Sequence, residues 1–417
     1  MSTNSHHLRF REKLGYGLGD TASNFFFQTF NIFLLYYYTD VFGLSAAAVG
    51  TMFFVTKLWD AVNDPLMGII ADRTQTRFGK FRPYLLWVAI PYGVLGFLMF
   101  ANPDLDESGK LVYAWVTYSL MMMVYTAINV PYSALMGVMT PSSQERTVLS
   151  SYRFVCAFGG GLLISMLVRP LIDYLGEGDE AQGFSATMAL FAVLSIVLFW
   201  YSFASTRERV TTPVDQKADL RHDLKILISN RPWVILFFAA IFTLANVAVK
   251  NAVTVHFFKY YVGDDGTPYF LFMDRTTLFL TVGMLAMILG VASTRLFTKH
   301  FEKKSLMIWL SLLNAASMLI IFLIPPDQFW TMMVVNIVGT FLVGPTPALV
   351  WAMYADTADY GEWKYGRRTT GLVFSAAQFA QKFGLTIGAG LSGWLLGSFG
   401  FIANVEQTDT SLLGIRL

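Results

Sequence analysis

The sequence predicts an all-α polytopic membrane protein built as two helical bundles, and three observations predict it. Of 417 residues, 55% are hydrophobic and only 14% are charged, with a mean hydropathy of +0.51, far from the averages of soluble proteins. The apolar residues fall into runs of about 20, the length a helix needs to cross about 30 Å of hydrocarbon. The charges gather in short segments between those runs, a distribution that excludes a nucleic-acid-binding face although Lys and Arg (30) outnumber Asp and Glu (28).

In chain order, the apolar runs predict spans over 14–38, 44–70, 84–102, 111–138, 149–171, 184–203, 233–260, 276–298, 305–324, 329–355 and 369–397. The first follows a polar, basic start without a cleavage site, so it reads as a mature span and not as a signal peptide. The interval 204–232 is the longest polar stretch and carries Thr211-Thr212-Pro213 and Asp219-Leu220-Arg221-His222-Asp223-Leu224-Lys225. It divides the chain into a six-helix bundle (1–203), a cytoplasmic linker (204–232) and a second bundle (233–417). That is the layout of transporters made of two repeated halves, with the substrate near the midplane. The halves show no residue-level repeat. Eleven spans are one short of such an architecture, and Ser411-Leu412-Leu413-Gly414-Ile415-Arg416-Leu417 reads as the opening of a twelfth helix otherwise absent from this chain.

Orientation follows from the basic residues. Arg9, Arg11 and Lys13; Arg73, Arg77, Lys80 and Arg82; Arg146; those from Arg207 through Arg231; Lys299, Lys303 and Lys304; and Lys364, Arg367 and Arg368 all fall on one side. The opposite loops are acidic or neutral, which predicts a cytoplasmic N-terminus in a bacterial inner membrane. The single cysteine, Cys156, excludes an intrachain disulfide. The histidines have no metal-ligand spacing. With no phosphate-binding Gly-rich loop and no nucleophile elbow, the chain does not read as an enzyme, it calls for no resident cofactor, and ion gradients must drive any transport.

The informative residues are ionisable groups inside spans, each costing about 2.5–3.5 kcal/mol at the bilayer centre. In the second span, Lys57, Asp60 and Asp64 stand at i, i+3 and i+7, on one helical face. Two carboxylates on one face suit a hard cation such as Na⁺, or a shared proton, because unneutralised they repel. The alternative is a purely structural network with Lys57. Asp20 and Asn24 in the first span, and Thr126 and Asn129 in the fourth, have spacings that line the same cavity. Arg153 lies just inside the fifth span, and Gln378, Gln381 and Lys382 in the eleventh. Interhelical hydrogen bonds would also account for Asn24, Asn129 and Gln378. Most tryptophans read as an interfacial belt; Trp59 and Trp351 are deep enough to stack on a sugar.

The loop Gly68-Ile69-Ile70-Ala71-Asp72-Arg73-Thr74-Gln75-Thr76-Arg77-Phe78-Gly79-Lys80-Phe81-Arg82-Pro83 resembles the loop between helices 2 and 3 of the major facilitator superfamily, where acid and base groups fasten helix ends in one conformation. That resemblance gives Asp72, Arg73 and Arg77 a gating role. A sharper one lies in Tyr36-Tyr37-Tyr38-Thr39-Asp40-Val41, Trp59-Asp60-Ala61-Val62-Asn63-Asp64-Pro65, Gly79-Lys80-Phe81-Arg82-Pro83 and Asp359-Tyr360-Gly361-Glu362-Trp363-Lys364. These segments are similar to the glycoside–pentoside–hexuronide:cation symporter family, which includes melibiose permease, over nearly the whole chain.

The resemblance implies a major facilitator fold and symport of a sugar, glycoside or uronide with a monovalent cation. It implies a cation site at Asp60, Asn63, Asp64 and Thr126, with Na⁺ favoured over H⁺ and Li⁺. Where the family relative has sugar-binding aspartates this chain has Asn24 and Asn129, so galactoside specificity does not transfer, and Asp20 is placed to supply the missing acid. Ser133 stands at the relative's tryptophan, with Tyr132 beside it. Arg153 and Lys382 match positions linked to sugar binding and coupling, and either suits a uronide carboxylate. Asp359, which falls in a matched segment, and Lys57 are each assigned to coupling and gating. A lipid or lysolipid carrier of the same fold and a non-transporting membrane sensor are the alternatives. Nothing marks an association surface, so a monomer is expected.

Overall fold

In the computed structural model, which describes residues 8–140, 143–209, 220–366 and 370–416, most of the described residues are helical and none forms a strand. Helix α1 (Phe10–Tyr36) continues into a π-helical turn (Tyr37–Val41). It is followed by α2 (Ala46–Arg73), α3 (Arg82–Trp87), α4 (Ala89–Leu98), α5 (Glu107–Met139), α6 (Ser143–Gly176), α7 (Glu180–Ser205) and α8 (Leu220–Ser229). Then come α9 (Arg231–His256), a second π-helical turn (Phe257–Val262), α10 (Arg275–Thr298), α11 (Lys303–Leu323), α12 (Phe329–Val343), α13 (Thr346–Tyr365), α14 (Thr370–Ser398) and α15 (Asp409–Arg416).

Helix starts carry oxygen caps. Ser45, Asp106, Asp179, Asn230 and Asp274 accept hydrogen bonds from the first backbone amides of α2, α5, α7, α9 and α10, donors that would otherwise have no partner in a span. Among the described residues six helical stretches are long and apolar enough to cross a membrane on composition alone: α5, α6 from Val148, α7, α9 with its π turn, α10 and α11. α1, α2 and α14 miss that mark on composition. They carry the intramembrane polar residues, which lower the mean hydropathy of any window over them.

Two expected spans are not continuous. The run 84–102 breaks at Val88 between α3 and α4, because Pro91 has no N–H to give the carbonyl of Trp87 and its ring crowds that oxygen. The run 329–355 breaks at Gly344-Pro345 for the same reason, with Pro345 facing the carbonyl of Phe341. The interval after α7 is also less free than a linker: residues 206–209 are tied back to the first bundle, and 220–229 form α8.

The chain divides into two compact units, Met1–Val214 with Ile402–Asn404, and Asp215–Phe401 with Val405–Leu417. In unit 1, α1 packs most closely on α6 and α7, α2 lies along α5, and α4 sits between α5 and α7. Gly17 allows the approach of α1 to α6: a Cβ there would lie 2.7 Å from Cys156 Sγ and 2.9 Å from the Tyr152 carbonyl. In unit 2, α9 packs on α14, where Gly384 and Gly388 meet the carbonyls of Ile241 and Ala245.

The structure also shows a repeat that the residues hide. In each unit the first long span ends in a π turn followed by a left-handed glycine, Gly43 (φ 85°) and Gly263 (φ 72°). The next amide closes each turn at the same spacing, Leu44 N–H on Tyr38 O at 2.8 Å and Asp264 N–H on Phe258 O at 2.9 Å. The side chains differ almost throughout, so only the backbone carries the likeness.

Candidate substrate and cation site

Tyr16, Asp20, Ser23 and Asn24 recur along α1 at helical spacing and point one polar stripe into the interior of unit 1. Arg153, on α6, donates from Nε to Asp20 Oδ2 at 3.0 Å. Its guanidinium lies 5.2 Å over the Tyr132 ring, so a cation in an apolar setting is neutralised on one edge and covered on one face. Tyr132 and Tyr16 stack at 4.7 Å. Each hydroxyl donates to the other's backbone carbonyl, at 2.5 Å from Tyr132 and 3.4 Å from Tyr16. Gly19 makes room for this pair: a Cβ there would lie 2.6 Å from the Tyr132 ring. Tyr132 is fully buried and serves as the platform under Arg153.

Asn24 donates to the Asp20 carbonyl one turn earlier, at 2.8 Å. Asn129 accepts from Ser23 at 2.7 Å and donates to the Tyr125 carbonyl at 3.0 Å, and Tyr92 donates to the Ser23 carbonyl at 3.0 Å. Asp20, Asn24, Asn129, Tyr132 and Arg153 therefore form one network joining α1, α5 and α6. Its hydroxyl, amide, carboxylate and guanidinium groups can exchange bonds with a polyhydroxylated ligand. Ser23, Tyr16, Tyr92 and Tyr125 belong to the network and escaped the sequence reading, since a lone serine or tyrosine in a span carries no charge to attract attention.

On the other flank of α5, Thr126 Oγ1 donates to Asp64 Oδ1 across 2.9 Å, linking α5 to α2. Beside it the amide nitrogen of Asn63 is buried without a hydrogen-bond acceptor, an arrangement that asks for a ligand. A half-turn of that amide brings its oxygen to the same position. Carboxylate, hydroxyl and amide oxygens together are a hard donor set that fits a small monovalent cation. The side chains of Lys57, Asp60, Asp72, Arg73 and Asp359 lie outside the described residues. Arg77 is exposed, its guanidinium 4.6 Å over the Phe78 ring.

Within unit 2, Trp351 is half-buried against the cluster of Leu227, Trp233, Leu236, Tyr354, Val373 and Ala377, its ring edge-on to Tyr354 at 6.2 Å. On α14, Val373, Ala377 and Ala380 are buried while Gln378 and Lys382 are exposed one turn apart, and Gln381 is half-buried. Lys250 of α9 was not foreseen: Nζ donates to Asn336 Oδ1 at 3.4 Å, and Asn336 donates to the Phe279 carbonyl at 3.1 Å.

At the linker end of unit 1, Glu208 accepts from the backbone amides of Lys80, Phe81 and Arg82 at 2.9, 2.7 and 2.9 Å. Arg209 pairs with Glu12, and Lys13 with Glu145 at 3.0 Å. The Glu208 carboxylate thus caps α3 from a segment more than 120 residues away.

Residues 15–417 match the MFS/sugar transport protein family. The chain is 41% identical to the putative glycoside/cation symporter YagG of Escherichia coli K12, covering 97% of this chain and 86% of that protein. It is 36% identical to the isoprimeverose transporter of Lactiplantibacillus pentosus, over 97% and 84%, and 32% identical to the glucuronide carrier protein homolog of E. coli K12, over 99% and 89%. Among solved structures, a D-xylose-proton symporter superposes with a TM-score of 0.66 at 13% identity, over 98% of this chain and 95% of that one, a likeness of fold alone. On the family match and these relatives, the chain belongs to the MFS/sugar transport protein family, the glycoside–pentoside–hexuronide group of the major facilitator superfamily, and is a membrane transporter, not an enzyme.

Proposed function

We propose that the protein is a secondary symporter that moves a glycoside or uronide inward with a monovalent cation, Na⁺ in preference to H⁺ or Li⁺, by alternating access. The observation that carries this reading is the Asp64–Thr126 bond beside the ligand-seeking Asn63 amide, one helix away from the Asp20–Arg153 network. The relatives' names, glycoside/cation symporter, isoprimeverose transporter and glucuronide carrier, support the substrate class.

Asp60 and Asp64 repel each other until a cation enters, and the cation draws α2 towards α5 through Thr126. That ordering steadies the α5 face on which Asn129 meets Ser23 of α1, so cation and sugar favour the same conformation. The coupling is a reciprocal free energy, typically about 1–3 kcal/mol. Asp20 and Arg153 receive the sugar: the Asp20 oxygen not bonded to Arg153 accepts hydroxyls, and a uronide carboxylate competes with Asp20 for the guanidinium. Within unit 2, Gln378 and Lys382 of α14 offer polar groups, and Trp351 of α13 an aromatic face. The chain works as a monomer with its N-terminus in the cytoplasm.

Thermal stability of the purified protein against neutral sugars, glycosides and uronates, each in Na⁺ and in choline, tests the reading. A ligand that stabilises more in Na⁺ supports coupled binding. A Na⁺ effect without any sugar effect turns the substrate question towards lipids, and no response to either removes transport by this site.

A further inference from the structure

The second π turn, the loop 263–274 and the connection from α11 to α12 line an open cleft of about 580 Å³ in unit 2, at the end remote from α8. That size falls among small-molecule sites, which run to about 300–1,000 Å³. Its walls include the rings of Tyr260, Tyr269 and Trp330 and the polar groups of Arg275, Asp327 and Gln328.

The rings are held at fixed angles. Tyr269 stands edge-on to Phe329 at 5.3 Å and lies 6.0 Å from Trp330, with the Arg275 guanidinium 5.2 Å over its face. Yet Trp330 is 58% exposed and Tyr269 42%, so flat apolar surface remains for a partner. A cation, a carboxylate and an amide stand around those rings, each planar and each able to take two hydrogen bonds. Flat rings for a C–H face, beside planar groups for paired hydroxyls, are the chemistry that recognises a sugar ring. The mixed signs select the ligand further. A neutral polyol satisfies Arg275 and Asp327 together, whereas an anionic lipid headgroup would meet the Asp327 carboxylate.

We infer that this cleft binds the sugar ring of a glycoside on residues of unit 2 alone, as a capture site outside the Asp20–Arg153 network. The identity of the ligand rests on the glycoside-transport reading.

The test is saturation-transfer-difference NMR on the purified full chain with a mixture of methyl β-xyloside, methyl β-galactoside and methyl β-glucoside. It compares wild type, Arg153→Gln, and Arg153→Gln combined with Trp330→Ala or with Asp327→Asn, each with a measured melting temperature. Ring-proton saturation should persist in Arg153→Gln and fall from that level by about three- to tenfold in both combined variants, the loss of one stacking face or one paired acceptor. No ring-proton saturation in wild type, or saturation equal in all four proteins, overturns the capture site. Failure of the transport reading is seen separately, as wild-type proteoliposomes that show no Na⁺-stimulated glycoside uptake. Saturation lost in both combined variants would then still place the sugar in the cleft.

Discussion

Thr126 Oγ1 reaches Asp64 Oδ1 across 2.9 Å and joins α5 to α2 at the edge of the Asn63 amide. On the proposed reading the Asp64 carboxylate is a ligand of the cation, and the Thr126 hydroxyl holds it in place. On that reading position 126 serves the ion through its hydroxyl and not through its bulk.

Thr126→Val keeps the shape and removes the donor. A hydrogen bond to a charged group contributes about 1.5–3 kcal/mol, so the Na⁺ concentration that half-saturates the effect on glycoside binding should rise roughly 10- to 100-fold. Thr126→Ser should stay near wild type. Asp64→Asn should abolish Na⁺ stimulation while the protein still folds. Thermal-shift titrations with choline as replacement check all three, and undiminished stimulation in Asp64→Asn sinks the assignment.

Arg153 and Asp20 offer a double-mutant test. Removing one partner of a buried pair costs about 3–5 kcal/mol because the other charge is left alone. Arg153→Gln and Asp20→Asn should each lower the melting temperature by more than the combined variant does. Arg153→Lys should keep stability better than Arg153→Gln yet lose sugar binding, since an ammonium cannot both bond Asp20 edge-on and lie flat on Tyr132. Additive losses in the double variant would contradict the pairing.

The cost of polar groups in hydrocarbon made Asp20, Asp64, Thr126 and Arg153 legible in the sequence, because each had to have a reason. Their pairing was not: Asp20 and Arg153 lie 133 residues apart, and only the packing of α1 on α6 brings them together. The helix breaks at Pro91 and Pro345 had visible causes, but a hydropathy window averages across both. The π turns have no side-chain signature, which is why the repeat of the two units stays hidden in the residues. Glu208 reads as one charge in a charged linker, since its partners are backbone amides that any sequence possesses. Lys250 met the same cost rule as Asp20 and lay in plain view. With an amide as partner, no opposite charge pointed to it.

Glu208 gives a prediction at the linker end of unit 1. Three backbone amides converge on its carboxylate, and Glu208→Ala leaves them to water. Hydrogen exchange at Lys80, Phe81 and Arg82 should quicken by at least about tenfold, the effect of losing about 1.4 kcal/mol of local protection. Amides in α5 should keep their rates. Unchanged exchange at 80–82 would mean that α3 is capped by other means.

Lys250 and Asn336 separate stability from function in unit 2. An ammonium in a span is costly, and Asn336, 2% exposed, is the acceptor that offsets part of the cost at 3.4 Å. Lys250→Met replaces the charge by an apolar chain of similar length, so the protein should melt at or above the wild-type temperature. Asn336→Leu should destabilise by about 1–3 kcal/mol, because it removes the ammonium's acceptor and the donor to the Phe279 carbonyl together. The double variant should recover part of that loss, since no charge then needs the amide. A charge kept against its own cost in stability points to use in transport, so uptake by Lys250→Met proteoliposomes should fall while stability holds. A Lys250→Met protein that melts well below wild type and transports normally would make the pair a structural tie and nothing more.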